Sequence, residues 1–120
     1  MQDFTKLRVW HESQDLAVAV FDVTRTFPRE ERFGLSSQMR RAAVSVSSNI
    51  AEGCGRYGPA DVSRFLQIAI SSSCELASQI ELSHMLRFLD DRDAVSLKTQ
   101  AETVRKGLIR LEAKVRDGRK

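Results

Sequence analysis

Two cysteines, two prolines, one tryptophan and one tyrosine are all that this 120-residue sequence contains of each, and each scarcity removes a class of answer. Cys54 and Cys74 stand alone, without the paired spacing of a zinc site. They read as reduced thiols of a cytoplasmic protein, with a pairing between them left open at this level. Pro28 and Pro59 are too few to interrupt long helices. No apolar run approaches the roughly 20 residues that span a bilayer, and the opening MQDFTKLRVW lacks the apolar segment of a secretory signal. His11 and His84 have no partner at metal-binding spacing, so no metal site is expected. Gly53-Cys54-Gly55-Arg56-Tyr57-Gly58 matches Gly-x-Gly-x-x-Gly by letter only. A helical pattern precedes it where a dinucleotide site needs a strand, so it reads as a helix terminus and no cofactor is expected.

What is present is helical periodicity. A chain of this length with 42% hydrophobic and 29% charged residues is one domain able to bury its own core. The organising stretch is Phe33–Arg56. Leu35, Met39, Ala42, Val46, Ile50 and Gly53 recur at steps of three and four, and so share one helix face. Ala43, Ser47, Ala51 and Gly55 keep other sides small, which lets neighbouring helices approach closely. A first helix is expected at about 8–27, its apolar stripe including Trp10, Leu16, Ala17, Val20, Phe21 and Val23. It should stop before Pro28. The second is expected at 35–54, and the third at 59–88, opened by Pro59 and Asp61. The fourth, at 93–116, follows the cap-rich turn Asp90-Asp91-Arg92-Asp93 and carries Leu97, Ala101, Val104, Leu108, Leu111 and Val115. With no strand signal, these elements predict an all-α, antiparallel up-down four-helix bundle. The third helix bears two apolar seams, one through Val62, Leu66, Ala69, Leu76 and Ile80, the other through Phe65, Ile68, Leu82, Leu86 and Leu89. That exceeds what a small core needs and points to subunit contacts, hence a ring-like homo-oligomer.

Two polar features remain. On the second helix Gln38, Arg41, Ser45, Ser48 and Glu52 form a stripe, with Asn49 at its border. Arg41 and Glu52 lie about 16 Å apart along the axis, too far to pair. Each should therefore meet other helices, with Glu75 the expected partner of Arg41 in a structural network that fixes register; the alternative is a solvated stripe. The second feature is charge. The net charge is +3, but residues 98–120 hold eight basic and three acidic side chains, which concentrates the positive charge at that end. Lys106, Arg110 and Lys114 are spaced by four and line one side of a helix, with Lys98, Arg105, Arg116, Arg119 and Lys120 extending the basic surface. This pattern suits phosphate contacts with little sequence preference, because few aromatics accompany it; the same side chains also suit a solvated helix face. An enzyme would have to act through Arg41, Glu52 and Glu75, to which the chain adds no nucleophile, metal site or cofactor loop; Ser71-Ser72-Ser73 has no base.

Several linked motifs carry a resemblance. They are Leu7-x-Val9-Trp10, Phe27-Pro28-x-Glu30-Glu31-Arg32-Phe33-Gly34-Leu35, Gln38-x-Arg40-Arg41-Ala42, Asn49-Ile50-Ala51-Glu52-Gly53 and Phe65-Leu66-x-Ile68-Ala69. In this order they resemble the bacterial four-helix bundle proteins, also called 23S rRNA intervening-sequence proteins. The resemblance implies a homopentamer without known enzymatic activity. It extends, through fold more than motif, to accessory variability determinants of diversity-generating retroelements, which bind nucleic acid and a reverse transcriptase. Ser47 and Ser71 depart from the proline and glycine of many relatives, which bears on helix straightness rather than function. Two functions are thereby expected: nucleic-acid binding by a non-enzymatic oligomer, or a protein-interaction scaffold such as an accessory subunit of a reverse transcriptase.

Overall fold

The computed structural model describes residues 3–118. Four helices account for most of them: α1 (Arg8–Thr24), α2 (Leu35–Cys54), α3 (Pro59–Met85) and α4 (Asp91–Asp117). Each packs on its two neighbours, with α1 closing the circle against α4. The result is an all-α, antiparallel up-down bundle measuring 47 × 24 × 20 Å.

Local chemistry sets the helix ends. A single turn at Phe4–Lys6, capped by the Asp3 carboxylate through the Thr5 amide at 3.0 Å, precedes α1. It lays Phe4 against Trp10 with ring centroids 5.0 Å apart. α1 stops three residues short of the expected Phe27. The Thr24 hydroxyl donates back to the Val20 carbonyl at 2.7 Å, and the chain leaves the helix so that Phe27, held out of helical geometry by Pro28, packs on Phe88 at 5.4 Å. Glu31 Oε1 accepts from the Leu35 amide at 3.2 Å and so caps the start of α2, where Gly34 has no side chain to do it. α3 also ends three residues before its expected limit. Arg87 adopts a left-handed conformation, φ 66°. The Arg87 amide donates to the His84 carbonyl at 3.0 Å and the Phe88 amide to that of Ser83 at 2.9 Å, a helix-ending bond pair usually built on glycine. Asp90 caps α4 through the Asp93 amide at 2.8 Å, which starts that helix at Asp91, two residues earlier than expected.

The core is the shared apolar faces: Leu16 and Val20 from α1, Met39, Val46 and Ile50 from α2, Leu66, Leu76 and Ile80 from α3, Leu97, Val104 and Leu108 from α4, all essentially inaccessible. Burying such a side chain contributes about 1.5–3 kcal/mol. α2 lies close to α3 at Gly53: a Cβ there would sit 3.2 Å from Phe65 Cβ and 3.5 Å from the Val62 carbonyl oxygen. Of the second seam expected on α3, Leu89 is buried and Phe65 half-buried, while Ile68, Leu82 and Leu86 are exposed. Cys54 is buried and Cys74 exposed, both as free thiols; burial pushes the Cys54 thiol above its ordinary pKa.

Candidate nucleic-acid interface

α4 turns its apolar stripe inward and its cations outward, as the spacing requires. Lys106, Arg110 and Lys114 are exposed along one side of it. Lys98, Arg105 and Arg116 of this helix are paired with carboxylates, and Lys106 is partly so. Lys98 Nζ reaches Glu81 on α3 at 2.6 Å. Arg105 forks onto Glu102 at 2.7 and 3.1 Å, and Lys106 approaches the same carboxylate at 3.7 Å. These contacts hold Glu81 and Glu102 below the usual carboxylate range, chiefly through the hydrogen bonds from Lys98 and Arg105. Arg116 meets Glu112 at 3.3 Å and Asp117 at 3.7 Å. Arg110 and Lys114 have no carboxylate within 4.0 Å among the described residues. Arg119 and Lys120 lie outside the described residues.

The polar stripe of α2 divides into separate contacts. Ser45 Oγ lies 2.8 Å from Ser72 Oγ on α3, and Asn49 Nδ2 donates to the Ser45 carbonyl at 2.8 Å and hydroxyl at 3.1 Å. This small cluster ties α2 to α3. Gln38, Arg41 and Glu75 line the same cleft, about 280 Å³ in volume, with Ser45 and Ser72. Arg41 and Glu75 form no ion pair there; Glu75 instead accepts from Gln79 at 3.3 Å. Glu52 belongs to the other end of the stripe, where it pairs with Arg56 one turn on. Arg56 also covers the Phe65 ring at 4.6 Å.

Two arrangements escaped the sequence reading. Glu112, on α4, is buried: its Oε2 accepts from Ser63 Oγ on α3 at 2.5 Å and from Gln67 Nε2 at 3.2 Å. The Ser63 hydroxyl is the main cause of its lowered carboxyl pKa, with Gln67 and Arg116 acting in the same sense against burial. The available signal was position, since Glu112 follows Leu108 by one turn on the core stripe. The second is a cluster of cations where α1 gives way to α2. A cleft of about 550 Å³ there is lined by Arg25, Arg29, Arg32, Arg40 and Arg41, with Ser36 and Ser37. Among the described residues, no group of histidine, cysteine and acidic side chains could hold a metal, and no helix is long and apolar enough to cross a membrane.

The class this geometry defines is a small antiparallel four-helix bundle with exposed basic faces and a core spanned by a few serine and carboxylate contacts. The chain belongs to the 23S rRNA-intervening sequence protein family, whose model matches residues 5–110. A crystal structure at 1.70 Å of a protein of unknown function from the S23 ribosomal protein family of Bacteroides thetaiotaomicron has the same fold. Its TM-score is 0.82 at 22% identity, over 88% of this chain and 99% of that one. No curated protein matches the sequence.

Proposed function

We propose that this protein is a non-enzymatic, cytoplasmic oligomer that binds the backbone of RNA or DNA through the outer face of α4. The observation that carries the reading is the exposed line Lys106, Arg110 and Lys114, two of whose three cations have no carboxylate partner among the described residues. Such cations meet phosphates at little desolvation cost and release counterions from the strand. The family's name, which refers to 23S rRNA, supports an RNA partner. Repetition of the line around a ring, with five subunits as the family resemblance implies, would let one strand touch several copies and gain by avidity. Exposed Ile68 and Leu82 on α3, with Leu86 just beyond its end, supply apolar surface for that assembly.

The test replaces Lys106, Arg110 and Lys114 together by glutamine and titrates single-stranded RNA and DNA across a salt series. Affinity should fall for all sequences alike, with a shallower salt slope. A triple variant that binds as tightly as its parent at equal salt removes α4 as the contact surface. The second reading, a scaffold or accessory subunit of a reverse transcriptase or similar enzyme, rests on the same exposed apolar side chains of α3. It is favoured if the wild-type protein alone binds no nucleic acid at low salt.

A further inference from the structure

From the cleft between the end of α1 and the start of α2, we infer a phosphate-binding site, separate from the α4 line and at the opposite end of the bundle. The opposition follows from the topology: Ser63 at the start of α3 meets Glu112 near the end of α4, whereas Phe27 beyond α1 meets Phe88 beyond α3. Five arginines, Arg25, Arg29, Arg32, Arg40 and Arg41, line one cavity with no acidic residue among the lining residues. Like charges gathered in this way repel one another, and an anion relieves that repulsion. Only Arg25 has an ion-pair partner among the described residues, Asp22 at 2.5 Å.

Arg40 gives the site a fixed point. Its Nε donates to Thr24 Oγ1 at 2.8 Å, its Nη2 to the Phe21 carbonyl at 3.4 Å, and its guanidinium covers the Phe21 ring at 4.7 Å. Nη1 has no partner among the described residues. A guanidinium held this way has little rotamer entropy left to lose on meeting an oxyanion, and its planar fork matches phosphate geometry. Ser36 adds a hydroxyl. The residue is 7% exposed and lines the cleft, and its hydroxyl bonds to no described side chain and is not among the buried atoms left without a partner, so it opens to solvent. The Ser36 and Ser37 amides, in the first turn of the 20-residue α2, are likewise unbonded, because the Glu31 carboxylate satisfies only that of Leu35. Guanidinium, hydroxyl and helix-start amide donors thus all belong to residues that line one cleft. The volume suits a phosphate with part of a nucleotide, and Phe27 and Pro28 in the lining offer apolar surface beside it.

The recognised chemistry is a phosphate group, either free as in pyrophosphate or within a nucleic-acid strand. The test compares three proteins by equilibrium titration: wild type, the cleft variant Arg29→Gln/Arg32→Gln/Arg41→Gln, and the α4 triple glutamine variant. The cleft substitutions fall on exposed side chains that hold no ion pair among the described residues, and Arg40 is left in place. The probes are pyrophosphate and a fluorescent ten-nucleotide oligouridylate, with and without a 5′-phosphate. The wild type should bind pyrophosphate, and the cleft variant should bind it about tenfold or more weakly, while the α4 variant matches the wild type. A cleft variant that weakens pyrophosphate alone assigns the site to free phosphates. One that also weakens oligouridylate assigns it to the strand, and dependence on the 5′-phosphate assigns it to the strand end. The inference is overturned if the wild type binds neither probe, or if the cleft variant binds both as tightly as the wild type. Because the α4 variant is read separately, loss of the α4 proposal leaves this one standing, and the converse holds. Should the triple variant lose helical circular dichroism, Arg29→Gln and Arg41→Gln alone must each still weaken pyrophosphate, by about threefold; unchanged single variants then overturn the site.

Discussion

Glu112→Ala removes a buried carboxylate from the α3/α4 interface and should be among the most damaging single polar substitutions in the chain. The carboxylate takes a 2.5 Å hydrogen bond from Ser63, a residue only 5% exposed. A hydrogen bond to a charged group is worth about 1.5–3 kcal/mol. The Arg116 contact adds less than about 1 kcal/mol, because that guanidinium is largely solvated. The expected loss is therefore about 2–3 kcal/mol at neutral pH, a fall of about 8–12 °C in Tm for a chain of this size. Glu112→Gln keeps an acceptor for Ser63 but gives up the charge, so it should lose about 1 kcal/mol. The folded-state pKa of Glu112 is lowered, so its contribution is complete above the ordinary carboxyl value of about 4.3. It fades as pH falls through the lowered folded value, where protonation makes glutamic acid and glutamine alike. Urea unfolding of wild type, Glu112→Gln and Glu112→Ala at pH 7 and pH 3 reads both effects. A Glu112→Gln deficit equal at the two pH values refutes the charge argument. A Glu112→Ala variant within about 0.5 kcal/mol of wild type at pH 7 refutes the contact itself.

Other perturbations test other parts of the fold. Gly53→Val places two methyl groups against the Val62 carbonyl and Phe65, and should destabilise by about 1–3 kcal/mol through overpacking; an unchanged denaturant midpoint would show that α2 and α3 separate freely there. Arg87→Gly relieves a left-handed arginine and should stabilise by about 0.5–1 kcal/mol after the added freedom of the unfolded glycine is offset. A lower Tm for that variant would mean the Arg87 side chain contributes more than its backbone costs. Light scattering at micromolar concentration should return a multiple of the 13.5 kDa chain mass, and a monomer mass ends the assembly proposal.

The four helices were legible because each carries an apolar stripe at steps of three and four, and buried Leu16, Ile50, Leu76 and Leu108 fall on those stripes. Helix ends were harder. Thr24 closes α1 with its own hydroxyl and Arg87 closes α3 in a conformation that arginine seldom adopts, so neither stop is written in the usual glycine or proline. The outward line Lys106, Arg110 and Lys114 was readable from spacing alone. Its neighbours were not: Glu81 meets Lys98 across two helices, and no pattern within α4 reports a partner on α3. The arginine cleft was hidden differently. Its residues lie close in sequence, but between Arg25 and Arg41 the chain reverses, and the charged link between α1 and α2 becomes the wall of a cavity.

The packing of each helix on its sequence neighbours also governs how the bundle forms. Links of four and five residues join α2 to α3 and α3 to α4, against ten between α1 and α2. Closing the short links costs less chain entropy, by about 0.6 kcal/mol for each halving of length. α2, α3 and α4 can thus assemble through local contacts, on the microsecond-to-millisecond scale typical of helical bundles. α1 makes the one pairing that spans the whole chain, with α4, and packs least extensively on its neighbours. It should dock last and detach first. Its amides should then exchange with solvent deuterium at a lower opening free energy than those of α2 and α3, making α1 the hinged wall of an otherwise firm three-helix unit.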